Sequence, residues 1–221
     1  MVRNDLIDAL RGLAVIGMLI FHLAVDLEDF FGYPLGYQQF RWQALRYCTV
    51  LLFISISGYT AGSGLNRHIT RNAGKVAVGA LVVTATTYVF FGDSYVRFGI
   101  LHFLACALFA SPVLLKIGEC RSLLLALISL IAGCFFSMVT VESSVFLPFG
   151  LVPADFVSID YYPLFPWLAI FIAGLATGRR FGNLPGNPGP LRPVAWIGRR
   201  SLLIYLLHQP ILLLFLYIVL S

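Results

Sequence analysis

Residues 5–27 read DLIDALRGLAVIGMLIFHLAVDL, and this stretch decides the fold. A helix that crosses a bilayer needs roughly 20 mainly apolar residues, and this run has that length. It nevertheless carries Asp5, Asp8, Arg11, His22 and Asp26. It is too long for a signal h-region and lacks a small-residue cleavage site, so it is expected to persist as a first span.

Working outward, stretches of the same kind lie at 6–27, 44–65, 73–91, 98–117, 123–141, 163–177 and 196–220. The sixth begins beside Pro163 and Pro166 and is expected to start irregularly. The longest interior connector, 182–193, is rich in Gly, Pro and Asn, as an irregular loop is. The expected fold class is therefore all-α, a polytopic transmembrane helix bundle of about seven spans in a single domain over 1–221. Composition agrees. Of 221 residues, 59% are hydrophobic and 11% charged, and mean hydropathy is +0.89. Soluble domains carry roughly 25% charged residues, which excludes an ordinary water-soluble globule. The net charge of +5 sits in short loops between apolar runs and gives no reason to expect nucleic acid. Cys48, Cys106, Cys120 and Cys134 show neither paired nor metal-like spacing, so no metal is expected.

Loop charge gives an orientation. One side would carry Arg3, Arg11, Arg67, Arg71, Lys75, Lys116, Arg121, Arg179, Arg180, Arg192, Arg199 and Arg200. The other would carry only Arg41, Arg46 and Arg97 of the 15 basic residues. Basic loops face the cytoplasm, so the N-terminus is expected inside and the C-terminus outside. Two pairs of small residues four apart, Gly58 with Gly62 and Gly174 with Gly178, read as close helix packing.

Ionisable groups in the hydrocarbon region cost at least ~2.5 kcal/mol each at mid-depth, so each is a functional hypothesis. In the first span Arg11 and His22 are eleven positions apart. That spacing puts them about 20° apart around the helix and about 16 Å apart along it. Asp26 follows His22 at i+4 and Asp8 precedes Arg11 at i−3, so each pair can meet on one face. A carboxylate beside an imidazole suits a general base. The alternative is that each pair only neutralises itself within the bundle. His102, at the outer entrance of the fourth span, is either a second acid–base group or a core histidine bonded to a carbonyl.

Ser201, Tyr205 and His208 share a face of the last span. Gln209 beside Pro210 reads as structural, because proline frees a carbonyl one turn earlier. Arg199 and Arg200 at the inner mouth suit an anionic ligand, or serve as topology anchors. Asp160, Tyr161 and Trp167 put a carboxylate and rings at the outer start of the sixth span, as a sugar platform or an interfacial belt.

These residues carry a resemblance. Asp8-Ala9-Leu10-Arg11-Gly12-Leu13-Ala14, followed by His22, resembles the first-helix motif of integral-membrane acyltransferases. Phe98-Gly99-Ile100-Leu101-His102, Asp160-Tyr161-Tyr162-Pro163 with Pro166-Trp167, and Gly198-Arg199-Arg200-Ser201 through His208-Gln209-Pro210 resemble the bacterial relatives of heparan-alpha-glucosaminide N-acetyltransferase. The resemblance implies an acyltransferase of the bacterial inner membrane that moves an acetyl group from cytosolic acetyl-CoA to an extracytoplasmic glycan or amino-sugar acceptor. It implies Arg11 in the donor path and His22 as the catalytic histidine.

The resulting expectation places His22, Asp26 and His102 in catalysis. Arg11, Arg199, Arg200, Ser201, Tyr205 and His208 would meet the donor, and Asp160, Tyr161, Trp167 and Arg97 the acceptor. A proton-coupled transporter with a His/Asp relay and a non-catalytic scaffold are the rival classes, and a homodimer stays open. The orientation has a direct check. Cysteines introduced at Asn72 and Asn187 are expected to resist an impermeant thiol reagent applied outside intact cells, while one at Glu142 reacts. Outside labelling at Asn187 would reverse the assignment.

Overall fold

The computed structural model describes residues 4–66, 68–182 and 189–220. Arg3, Arg67 and residues 183–188 of the 182–193 connector, which entered the loop reading, lie outside the described residues. Eight α-helices account for most of the described chain: α1 (Asp5–Phe31), α2 (Phe40–Gly62), α3 (Ile69–Phe91), α4 (Ile100–Leu114), α5 (Glu119–Phe136), α6 (Leu164–Phe181), α7 (Arg192–Arg199) and α8 (Ser201–Leu220). No strand occurs among the described residues beyond two isolated bridges, Phe98 with Tyr161 and Thr140 with Val152. An all-helical fold is what a bilayer demands, since each backbone donor and acceptor must be satisfied within its own segment.

The sequence predicts seven spans, and five helices are long and apolar enough to cross: α1, α2, α3 with the turn after it, α5 and α8. Helix α4 is apolar but only 15 residues long, and α6 closes on Arg179 and Arg180. The stretch 196–220 is not one helix. It breaks between Arg199 and Ser201, where Gly198-Arg199-Arg200-Ser201 offers no apolar face. The irregular start of the sixth stretch is present. Phe165 is extended inside α6 (φ −102°, ψ 129°) because a residue before proline is pushed out of the helical region.

Helix α1 is well specified at both ends. The Asn4 side chain accepts from the backbone N–H groups of Leu6 (3.1 Å) and Ile7 (3.2 Å). Asp5 and Asp8 lie in the first turn, where a negative charge meets the helix dipole favourably. Gly32 closes the helix in the left-handed conformation (φ 74°). The lipid-facing sides are equally clear. Leu203, Leu207, Ile211, Leu214 and Ile218 form an exposed stripe on α8, and Leu124, Leu127, Ile128, Ile131 and Phe135 one on α5. Such long apolar stripes need lipid rather than water against them.

The chain groups into two compact units, the described residues of 57–183 and those of 2–56 with 184–221; the boundary falls inside α2. In the first unit, the last turns of α2 lie backbone-to-backbone on α6. A Cβ added at Gly58 would sit 2.1 Å from the Phe171 carbonyl oxygen, one at Gly62 2.0 Å from that of Leu175, and one at Gly178 2.3 Å from that of Tyr59. The close packing expected of Gly58, Gly62 and Gly178 is therefore real. The Tyr59 hydroxyl adds a bond to the Gly182 carbonyl at 2.6 Å.

In the second unit, α1 meets α7 in the same way. A Cβ at Gly12 would lie 2.0 Å from the Val194 carbonyl oxygen, and one at Gly198 1.8 Å from that of Asp8. Further along, the His22 ring touches that of His208. Along α7 the contacts run against α1, from Gly12 with Val194 to Asp8 with Gly198 and Asp5 with Arg199. Helix α7 is therefore antiparallel to α1, and α8, which turns back to bring His208 to His22, runs parallel to it. The glycine contacts predict an asymmetry in stability. Gly62→Ala is expected to lower stability in detergent by about 1–3 kcal/mol, because its methyl group meets fixed backbone. Gly74→Ala on α3, with open space at the Cβ position, is expected to raise it by about 0.5–1 kcal/mol. Thermal melting of the two purified variants reads both signs.

Candidate active site

The second unit gathers four polar side chains where α1 crosses α8. The Nδ1 atom of His22 lies 2.9 Å from the Met18 carbonyl oxygen, one turn earlier. The Nδ1 atom of His208 lies 2.6 Å from that of Tyr205. A carbonyl oxygen only accepts, so both Nδ1 atoms carry the hydrogen and both neutral rings present Nε2 as a lone pair. The rings meet edge to face, with centroids 4.8 Å apart and planes at 76°. His208 is 8% exposed and its Nε2 has no hydrogen-bond partner.

Asp26, 1% exposed, accepts at Oδ1 from the side-chain amide of Gln209. This corrects the expected pairing. The spacing of four allows Asp26 to hold the His22 ring, but the Met18 carbonyl holds it instead, and the carboxylate is held from α8. Gln209 is correspondingly more than a companion of Pro210, since it ties α8 to α1. Oε1 of Gln209 and Oδ2 of Asp26 are buried without a hydrogen-bond donor. With Nε2 of His208 they make three buried acceptors without a partner.

Ion pairs occupy the other end of the same unit. Arg11 bonds Asp8 at 3.0 Å, and Arg199 bonds Asp5 at 3.1 Å. The Arg200 guanidinium lies over the Trp196 ring, 4.1 Å from its centroid. Of the two arginines expected to meet an anionic donor, Arg199 is therefore shared with Asp5, while Arg200 is an exposed cation resting on an aromatic face. Ser201 opens α8, and the Tyr205 ring lies 5.5 Å from that of His208.

The remaining expected residues belong to the first unit, where they hold the fold. The Gly99 N–H donates to Nδ1 of His102 at 3.2 Å. The hydrogen of His102 is then on Nε2, which meets the Thr84 hydroxyl at 3.2 Å, and that hydroxyl donates to the Val96 carbonyl at 2.8 Å. Both nitrogens are used, so His102 acts as a cap of α4 tied to α3; it has no lone pair left for acid–base work. Asp160 accepts from the Ile100 N–H at 3.1 Å, at the start of the same helix. Tyr161 donates to the Leu147 carbonyl at 2.7 Å, and burial pushes its hydroxyl up to about 12, which keeps it a donor. Trp167 lies edge-on to Tyr162 at 5.2 Å. Arg97 lies against the rings of Tyr95 and Phe156, at 5.1 and 5.5 Å.

Three partners are not legible in the chain. Met18 acts through a carbonyl that every residue has. Thr84 is one of several threonines in α3. Gln209 does carry a signal, a lone amide in an apolar run, but not the identity of its partner.

Fold and site together define a polytopic helical membrane protein with an imidazole-rich polar cluster between its first and last long helices. Across residues 3–210 the chain matches the family described as heparan-alpha-glucosaminide N-acetyltransferase, catalytic. It belongs to that family, and hence to the membrane acyltransferases. No curated protein and no solved structure matches it. The transporter and scaffold alternatives gain no support.

The Asp26–Gln209 bond predicts a stability cost. Gln209→Leu keeps the bulk but leaves a buried carboxyl oxygen without its donor, and is expected to cost about 1–3 kcal/mol. A thermal melt of the purified variant beside Leu206→Ala, which removes only apolar contacts, separates the lost bond from lost packing. No drop in the Gln209→Leu melt would show that the bond contributes nothing to folding.

Proposed function

We propose that this protein transfers an acetyl group from acetyl-CoA to the amine of a sugar acceptor, with His22 as the general base. The observation that carries the reading is the balance of donors and acceptors in the cluster. Nε2 of His208, Oδ2 of Asp26 and Oε1 of Gln209 are buried acceptors without partners, and Nε2 of His22 is fixed as a fourth. Leaving such atoms unmatched is costly, so the group they await is rich in donors. An amine or ammonium group brings two or three N–H donors, a hydroxyl only one. This favours N-transfer over O-transfer.

In the step itself, the acceptor nitrogen attacks the thioester carbonyl as Nε2 of His22 takes its proton. The C–N bond forms, the C–S bond breaks, and the proton passes to the leaving thiolate. His22 suits the task because the Met18 carbonyl fixes its tautomer and its angle, which is the role a third group plays in other base-assisted sites. The donor would come from the side carrying twelve of the 15 basic residues. Arg200, with Arg11 and Arg199 beside their acids, would attract its phosphates there. The acyl group would then act about 16 Å further along α1, at the depth of His22. The parallel course of α1 and α8 supports termini on opposite faces, with the N-terminus cytoplasmic. Residues 1–221 would act as one acyltransferase domain.

His22→Ala is expected to lower acetyl transfer to glucosamine by about 10²–10⁴-fold, the usual contribution of a general base. Its melting temperature and acetyl-CoA affinity should stay near those of the parent. A folded, acetyl-CoA-binding variant with parental turnover would remove His22 from the chemistry.

A further inference from the structure

We infer that His208 is a second base in this site, which takes the first proton from an acceptor arriving as an ammonium ion. The inference rests on the acetyl-transfer reading above and deepens it. Its ground is the contrast among the three histidines within helices. His102 has both ring nitrogens engaged, by Gly99 and Thr84, and is spent on structure. His22 and His208 each spend only Nδ1, on a backbone carbonyl, and each keeps Nε2 as a lone pair. A histidine placed only for packing has no reason to leave that atom buried and unmatched, yet His208 does.

The two rings touch, with centroids 4.8 Å apart, and each keeps a lone pair of the same kind. Beside them Asp26 and Gln209 each add a buried oxygen acceptor without a donor. A single base does not need a second identical base in contact with it. An ammonium acceptor does need two, because its nitrogen must lose one proton before it can attack and another after the C–N bond has formed. The balance is complete. His208 takes the first proton from R–NH3+, leaving R–NH2. That amine attacks the thioester carbonyl, His22 takes the second proton, and the thiolate receives it as the C–S bond breaks. The products are the amide and free CoA thiol, with one proton left on His208 to be released to water.

The division of labour gives a test that a purely structural role would not pass. His208→Asn keeps an N–H for the Tyr205 carbonyl but removes the basic nitrogen. The purified full-length protein is assayed with acetyl-CoA and two acceptors. Glucosamine reaches the site largely as an ammonium ion, whereas 4-aminophenyl glucoside offers a weakly basic nitrogen that is already neutral. His208→Asn is expected to lose at least tenfold more kcat on glucosamine than on the aminophenyl sugar. His22→Ala should lose comparably on both. An equal loss on both acceptors for His208→Asn, or no loss on either, overturns the inference while leaving the acetyl-transfer reading intact. Absence of transfer by the parent to both acceptors overturns that reading, and the inference with it. If His208→Asn does not melt cooperatively, His208→Gln is measured in its place and the same ratio decides.

Discussion

The approach of α1 to α7 is the contact on which the second unit depends. At Gly12 and Gly198 there is no room even for a methyl group, because each faces a carbonyl oxygen of the opposite segment at about bonding distance from where a Cβ would stand. This contact fixes depth and rotation together. Asp5 then sits at the level of Arg199, and α8 starts on a course that carries His208 to His22 and Gln209 to Asp26. Helices associate in lipid without a hydrophobic drive, through close van der Waals contact and interhelical hydrogen bonds. Here both devices occur along one pair of segments. Glycine contact serves the inner turns, and a carboxyl–amide bond serves the outer ones.

Hydrogen-bond direction separates the histidines more sharply than depth or spacing does. His102 has a backbone N–H on one nitrogen and a hydroxyl on the other; its tautomer is set by a donor, so its remaining lone pair is consumed. His22 and His208 have acceptors on Nδ1, which forces the hydrogen there and frees the opposite nitrogen. A ring partner that accepts makes a base, and one that donates makes a cap. Asp26 does not touch His22; it is held by Gln209, and its second oxygen is buried without a partner.

Much of this was legible in the chain. The long apolar runs gave the helices, Pro166 the irregular start of α6, and the glycines four apart the α2–α6 contact. What was not legible depends on contacts between distant segments. Asp26 has His22 at i+4 and Gln209 183 residues away, and local spacing naturally suggests the nearer partner. His102 and His22 look alike as lone histidines in apolar runs, and only Thr84 and Gly99 set one apart. The break at Arg200 was present as Gly-Arg-Arg-Ser, but a hydropathy count runs through four residues without noticing them. The function came from the order of motifs along the chain, which the family match over residues 3–210 supports.

The parallel course of α1 and α8 also bears on the number of spans. Two crossing helices that run in the same direction, at the beginning and end of a chain, must be separated by an odd number of other crossings. Five helices have the length and apolar composition to cross, and with α4 and α6 included the total is seven. Both totals are odd. A count of six would turn α8 against α1 and separate His208 from His22 in depth. Helix α4 is 15 residues long, about 22 Å at 1.5 Å per residue, which is short of a hydrocarbon core. The extended segment 98–99 before it and the Phe165 break before α6 add length without helix. Non-helical backbone at membrane depth survives only where protein supplies its hydrogen bonds. At both places it does: Phe98 accepts from the Tyr162 N–H at 2.9 Å, and the Pro166 carbonyl accepts from the Ser129 hydroxyl at 3.4 Å. Those bonds satisfy, from within the protein, the non-helical backbone ahead of α4 and at the start of α6.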